Sequence, residues 1–365
     1  MLELIDVSKQ VGAQTHIRDV SLALQRGSLN VLLGPTLAGK TTLMRLMAGL
    51  ERPTSGTVRF DGRDVTGVSV RRRDVAMVYQ QFINYPALTV YENIASPMRL
   101  AGVDRATLDR KVREAAELLK LTDFLERTPL NLSGGQQQRT AIARALVKGA
   151  ELVLLDEPLA NLDYKLREEL RVELPRLFAE TGAVFVYATT EPQEALLLGG
   201  RTATLHEGAV TQFGETIEVY NRPADLTTAQ TFADPPLNVA PVEKRDGTLH
   251  FGDRSLGPAA SSLADGDYTL AFRPHHVSLA PTPAHAVAVE ATVGTSEITG
   301  SETYLHARVG DGELSRDWVA LSHGVHRVGS GERVALHLDP SRYYLFDGSG
   351  ALAQAPADDA AARAA

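Results

Sequence analysis

The chain has 365 residues, enough for two or three domains, and its 44% hydrophobic and 22% charged residues are the balance of an ordinary globular protein. Its 37 Lys and Arg against 45 Asp and Glu leave a net charge of −8, which argues against a general nucleic-acid binder, because that function needs a basic field over the phosphate backbone. With no Cys, disulfides, thiolate zinc sites and a cysteine nucleophile are excluded, and no apolar run approaches the roughly 18–20 residues that span a bilayer.

The first residues, MLELIDVSKQ, lack a basic segment followed by an apolar stretch. They read as a strand rather than a signal peptide, and the chain as soluble and cytoplasmic. Leu2, Leu4 and Val7, then Val20, Leu22 and Leu24, alternate with polar positions, as strands do. Asn30-Val31-Leu32-Leu33 is a short apolar strand followed by a Gly-containing loop, and apolar spacing then predicts a helix from Thr42 to Leu50. Helical periodicity with dense charge covers Asp104–Leu125, and a further helix follows Ser133. Leu152–Leu155 and Val184–Tyr187 are apolar at every position, the signature of strands covered on both faces of a parallel sheet. Arg71-Arg72-Arg73 reads as a solvated basic patch, and His206 as a surface turn residue. The texture changes at Asp234-Pro235-Pro236, after which short β-like runs separated by Gly, Pro and Asp predict a small barrel. The Ala-rich stretch from residue 351 reads as a disordered tail.

Three motifs carry chemistry. Gly34-Pro35-Thr36-Leu37-Ala38-Gly39-Lys40-Thr41 fits G-x-x-x-x-G-K-[ST] and sits between an apolar strand and a helix, where a phosphate-binding loop belongs. Backbone N–H groups at the helix N-terminus would hold phosphate oxygens, Lys40 would reach the β- and γ-phosphates, and Thr41 would ligate Mg²⁺. Asp156 and Glu157 end an apolar strand at the edge where parallel sheets build their sites. With a phosphate loop present, Asp156 becomes a Mg²⁺ ligand and Glu157 a general base; alone, the pair could equally be a solvated loop entry. Leu132-Ser133-Gly134-Gly135-Gln136-Gln137-Gln138-Arg139 is either a plain capped helix start, with Ser133 as N-cap, or a third functional element.

Taken together, these motifs resemble the ATP-binding subunits of ABC transporters, in the importer subgroup for sugars and polyols that carries a C-terminal OB-like (TOBE) extension. LSGGQQQR is similar to that family's signature, Ala160-Asn161-Leu162-Asp163 to its D-loop, and Val78-Tyr79-Gln80-Gln81 to its glutamine loop. Phe232–Asn238, Phe272–Val277 and Gly300–Thr303 look like landmarks of the extension. GPTLAGKT and QQFINYPALTVYENIASPMRL look most like a bacterial glycerol importer's ATPase subunit. The resemblance covers residues 1–350. It implies a P-loop ATPase domain over 1–232, with a helical subdomain near 86–150, and an OB-like barrel over 233–350. It implies ATP and Mg²⁺ held by Gly34 to Thr42, with Thr41, Gln80 and Asp156 around the metal. Ser133, Gly134, Gly135, Gln136 and Asp163 would face the nucleotide of a second ATPase subunit. Permease subunits would dock near Gln80–Leu88 at the cytoplasmic face of the inner membrane, with an extracytoplasmic solute-binding protein acting indirectly.

The sequence departs from the family at two places. Val11 stands where the family stacks the adenine on an aromatic ring, a contact worth about 1–3 kcal/mol. Thr190 stands where the family has a switch histidine, and a Thr hydroxyl carries no switchable charge. Both departures point to a non-identical partner subunit that supplies the missing groups. The reading is an ATP-hydrolysing subunit that energises import of glycerol or another polyol or sugar. The alternatives are a soluble ABC-type ATPase acting on nucleic acid, or a nucleotide-binding regulator with little turnover.

Overall fold

The computed structural model describes residues 1–357 with the exception of Phe82, Asn161 and the side chains of residues 177–180; the D-loop position Asn161 and tail residues 358–365 therefore lie outside the described residues. The chain forms two compact units, Met1–Ile217 and Glu218–Ala365.

In the first unit an antiparallel sheet holds β1 (Leu2–Val11), β2 (Gln14–Leu24), β4 (Ser55–Phe60) and β5 (Arg63–Asp64), in the order β2-β1-β4-β5. The other sheet runs β10-β9-β3-β8-β7-β6, from β3 (Leu29–Leu33), β6 (Val75–Val78), β7 (Leu152–Asp156), β8 (Val184–Thr189), β9 (Arg201–His206) and β10 (Ala209–Glu215). All pairs in it except β9–β10 are parallel. Every residue of β7 and β8 is buried, as their unbroken apolar runs predict. The register pairs Leu33 with Thr189 and Asp156 with Ala188, so the ends of β3, β7 and β8 share one edge of the sheet. That edge is where the loops after these strands build a site.

Helix α1 (Lys40–Ala48) begins two residues earlier than its apolar spacing predicts, because Gly39 takes a left-handed φ of 103° and turns the chain directly into Lys40. Helix α2 (Val90–Leu100) opens on a capping box formed by Thr89 and Glu92, a signal present in the sequence as T-x-x-E. The charged period from Asp104 yields α3 (Arg105–Leu118) and stops short of Leu125, since Lys120 adopts a left-handed φ of 51° and short 3₁₀ turns follow. Helices α4 (Gly134–Lys148), α5 (Tyr164–Thr181) and α6 (Pro192–Leu198) complete the unit. Arg73 is not solvated, unlike the patch expected at Arg71–Arg73: its half-buried guanidinium donates to the carbonyls of Met47, Val65 and Val68.

The second unit is an antiparallel OB-like barrel. Its strands are β11 (Asn238–Arg245), β12 (Thr248–Phe251), β13 (Arg254–Pro258), β14 (Gly266–Phe272), β15 (Val277–Ser278), β16 (Val287–Ile298), β17 (Glu302–Val309), β18 (Arg316–His323), β19 (Arg333–Leu338), β20 (Tyr344–Phe346) and β21 (Leu352–Gln354). They pair as β13-β12-β11-β14-β20-β21 and β15-β19-β16-β17-β18 around one core, in which Trp318 meets Phe272 edge-on at 4.8 Å. This unit begins ahead of the Pro-rich join at Asp234–Pro236. Helix α7 (Thr216–Asn221) contains the divide, and α8 (Leu226–Thr231) belongs to the barrel unit. Arg273 explains why: it donates to the carbonyls of Tyr220 and Phe232 and lies 3.6 Å over the Tyr220 ring. The Ala-rich tail does not begin at 351. Leu352–Gln354 pairs with Tyr344–Phe346, and Leu352 packs against the cluster of Ala229, Leu237 and Phe346.

Candidate functional site

A cleft of about 650 Å³ lies at the shared strand edge, lined by Thr36, Leu37, Gly39, Lys40, Thr41, Thr42, Gln80 and Glu157 on one side and by Gln14, Thr15, His16, Glu207 and Gly208 on the other. The loop between Leu33 and Lys40 is folded by its own groups: Ala38 N–H bonds to Pro35 O, and Lys40 Nζ donates to Gly34 O at 2.7 Å and Pro35 O at 3.1 Å. Lys40 is only 5% exposed, and its ammonium lies 3.7 Å from Glu157. Burial lowers its pKa, while the Glu157 and Asp156 carboxylates oppose that shift. Thr41 Oγ1 donates to Asp156 Oδ2 at 2.8 Å, and Gln80 Nε2 donates to Glu157 Oε2 at 2.9 Å. Burial holds the Asp156 carboxyl above the ordinary carboxylate value, with the Thr41 hydrogen bond and Lys40 pulling it back.

Three residues of the cleft hold left-handed backbone at a cost of about 1–3 kcal/mol each: Glu157 at φ 47°, Leu37 at φ 68° and Glu207 at φ 46°. Glu157 N–H bonds to Ala188 O, which sets its carboxylate at the end of β7. Leu37 is 94% exposed at the cleft mouth. Gly39 and Gly208 are glycines by necessity, since a Cβ on either would stand 2.9 and 2.5 Å, respectively, from His16 O. The Glu207–Gly208 turn clamps β2 to the phosphate loop: Gly208 N–H bonds to Ala38 O, and Arg18 N–H bonds to Gly208 O.

Of the residues expected to act, Thr36 to Thr42, Gln80, Asp156 and Glu157 come together here, with Gly34 and Pro35 closing the loop through their carbonyls. Val11 and Thr190 are exposed and do not line the cleft. Ser133 caps α4 in a capping box with Gln136, leaving Gly134 in the exposed first turn. Asp163 caps α5 through Leu166 N–H. None of these signature and D-loop residues lines the cleft. Sequence reasoning missed Gln14, Thr15, His16, Glu207 and Gly208, whose one legible mark is the Gly of a turn between two strands. It also missed Gln138, buried on α4, which donates to the carbonyls of Glu157 and Pro158 and ties the signature helix to the catalytic edge.

A phosphate loop entering a helix after β3, a carboxylate pair at the end of β7, with β8 between the two strands, and a glutamine following β6 define a P-loop ATPase of the ABC type. The model of the ABC transporter family matches residues 17–160, and the TOBE domain model matches residues 270–346. The chain is 38% identical to the sn-glycerol-3-phosphate import ATP-binding protein UgpC 3 of Rhizobium etli over 86% of this chain and 88% of the relative. It is 37% identical to the trehalose/maltose import ATP-binding protein MalK of Thermococcus litoralis over 95% and 97%. Among solved structures it is similar to the dimeric, ADP- and Pi-bound ATP-binding cassette MJ0796, with a TM-score of 0.55 and 30% identity over 59% of this chain and 99% of that one. The chain belongs to the ATP-binding subunits of ABC import systems that carry a TOBE domain, and it is an ATP hydrolase.

Proposed function

We propose that the chain hydrolyses Mg-ATP to drive import of a sugar or polyol, glycerol and its phosphate ester included, as a peripheral subunit on the cytoplasmic face of the membrane. The observation that carries this reading is an assembled phosphoryl-transfer cleft in a chain matched over 86% and 95% of its length by import ATP-binding proteins for glycerol-3-phosphate and for trehalose and maltose, respectively. In this reading the N–H groups around Gly39 and Lys40 hold the phosphates and the Lys40 ammonium neutralises them. Glu157 takes a proton from the attacking water, oriented by Gln80. Thr41 Oγ1 and Asp156 would hold a Mg²⁺ ion, which would neutralise charge developing on the phosphates.

Two such subunits would face each other, each offering Ser133 and the α4 N-terminus to the other's nucleotide, with permease helices seated beside the Gln80–Leu88 segment. Support for that seat is a groove of about 440 Å³ between β6, α2 and α4, lined by Met77, Tyr85, Pro97 and Arg144, with Leu100 exposed at its rim. The case for a non-identical partner rests on Val11 and Thr190 alone, and the structure adds nothing to it. The test is co-purification from membranes, identification of every subunit, and ATPase assays in proteoliposomes with glycerol, glycerol-3-phosphate, maltose and trehalose. Stimulation by one of these solutes is expected. A complex without membrane subunits, or turnover indifferent to every sugar and polyol, would overturn the reading.

The Mg²⁺ assignment has a pH signature. Asp156 binds the metal only when ionised, and its raised pKa keeps it protonated at pH values where an exposed carboxylate is already charged. Mg²⁺ affinity is therefore expected to fall on acidification while ordinary carboxylates are still ionised, and Asp156→Asn should abolish that dependence. The stability contribution has the opposite sign: with a folded pKa above the unfolded one, this group stabilises the metal-free fold at low pH, and that stabilisation is lost as pH rises through the folded pKa. Isothermal titration of Mg²⁺ across pH 4–7 checks the first statement, and a pH-independent affinity would refute it.

A further inference from the structure

We infer that His16 is the nucleobase platform of this site, the side chain on which the base of bound ATP stacks. The inference rests on the Mg-ATP reading above and adds to it the orientation of the nucleoside. The γ-phosphate end of the cleft is fixed by Glu157 and Gln80, which stand together with Lys40 at the ends of β7 and β6. From Lys40 and Thr41 the rest of the nucleotide must leave toward the opposite wall, which is built from Gln14, Thr15, His16, Glu207 and Gly208.

Among the described residues that line the cleft, His16 alone carries an aromatic ring. Bases stack on His faces as they do on Phe, Tyr and Trp. Strand alternation puts His16 on the face of β2 opposite the fully buried Ile17, and leaves its ring half-buried rather than free in solvent. The position is also rigid. Arg18 N–H bonds to Gly208 O, Arg18 Nη2 donates to Glu207 O, and Gly208 N–H bonds to Ala38 O of the phosphate loop. The distance from the β2 backbone at His16 to the phosphate cradle is thereby set by hydrogen bonds, which reduces what a stacking platform must order on binding. Val11 has no such placement. It ends β1 just before the Gly12–Ala13 turn, is 49% exposed, and does not line the cleft. With the base held by His16, a pair of identical subunits would lack only the switch histidine, which removes one of the two reasons for a non-identical partner.

The test compares ATP with inorganic tripolyphosphate, both as Mg²⁺ complexes, binding to the full chain. His16→Ala is expected to weaken ATP about tenfold while leaving tripolyphosphate unchanged, and His16→Phe to restore ATP binding. Val11→Ala is expected to leave ATP affinity within about twofold of the parent, since no base contact is lost there. Unchanged ATP affinity in His16→Ala would overturn the assignment. So would equal losses for ATP and tripolyphosphate, which would show that His16 acts only by holding the phosphate loop. Lys40→Ala separates the two levels of the argument: it should weaken both ligands. A parent chain that binds tripolyphosphate and ATP equally would overturn the platform alone, and one that binds neither would overturn the Mg-ATP reading with it.

Discussion

Glu157→Gln is expected to bind ATP as the parent does and to hydrolyse it at least about 10²-fold more slowly, the scale of general-base assistance. The amide keeps the shape of the side chain and can still accept from Gln80 Nε2, which now bonds to Glu157 Oε2 at 2.9 Å. It cannot take a proton from water. The left-handed backbone at residue 157 and the Glu157 N–H bond to Ala188 O are indifferent to the substitution, so the cleft should remain assembled. Pre-steady-state measurement of phosphate release, together with nucleotide binding at equilibrium, separates the two effects. Turnover at the parent rate would show that another group accepts the proton. A loss of binding as large as the loss of turnover would show that Glu157 acts by holding Lys40.

Lys40→Ala is expected to weaken ATP about 30- to 150-fold, from the loss of charge-assisted hydrogen bonds to phosphate worth about 2–3 kcal/mol. The ammonium has a second duty within the protein. It donates to the carbonyls of Gly34 and Pro35 and lies 3.7 Å from Glu157, so its removal takes the lysine donor from Gly34 O, leaves Pro35 O only its bond from Ala38 N–H, and strips the carboxylate pair of its counter-charge. The loop should lose order and the remaining carboxylates should be harder to ionise. Titration of ATP and hydrogen exchange of the Gly34–Thr41 amides report the two duties separately. Affinity within a few-fold of the parent would remove Lys40 from the phosphate-binding role.

Local sequence determined a large part of this protein. The unbroken apolar runs of β7 and β8 announce strands covered on both faces, and both are wholly buried. The loop from Gly34 to Thr41 is legible because its chemistry is local: glycine for a left-handed turn, a lysine to curl back on the loop, and a hydroxyl at the helix start. Asp156 and Glu157 are legible for the same reason, at the end of a strand whose partner strands place them beside that loop. The capping box at Thr89 and Glu92 is present in the sequence too, followed by Val90, Ile94 and Met98 at helical spacing on the buried face of α2.

What only the tertiary structure decided are the pairings between distant segments. The second wall of the cleft comes from β2 and from the turn between β9 and β10, joined through Gly208 N–H to Ala38 O and Arg18 N–H to Gly208 O. Backbone hydrogen bonds leave no residue-type signature, so neither His16 nor Glu207 could be read as part of a site. Arg73 reads in the sequence as one of three surface charges, yet its guanidinium satisfies partly buried carbonyls from two separate segments, Met47 on α1 and Val65 and Val68 in the loop after β5. Leu352–Gln354 looked like the start of a featureless tail, yet it pairs as an edge strand because β20 offers it an open ladder and an apolar cluster beneath. Composition and periodicity report what a segment prefers on its own; which unpaired backbone groups it meets is fixed only when the rest of the chain has folded around it.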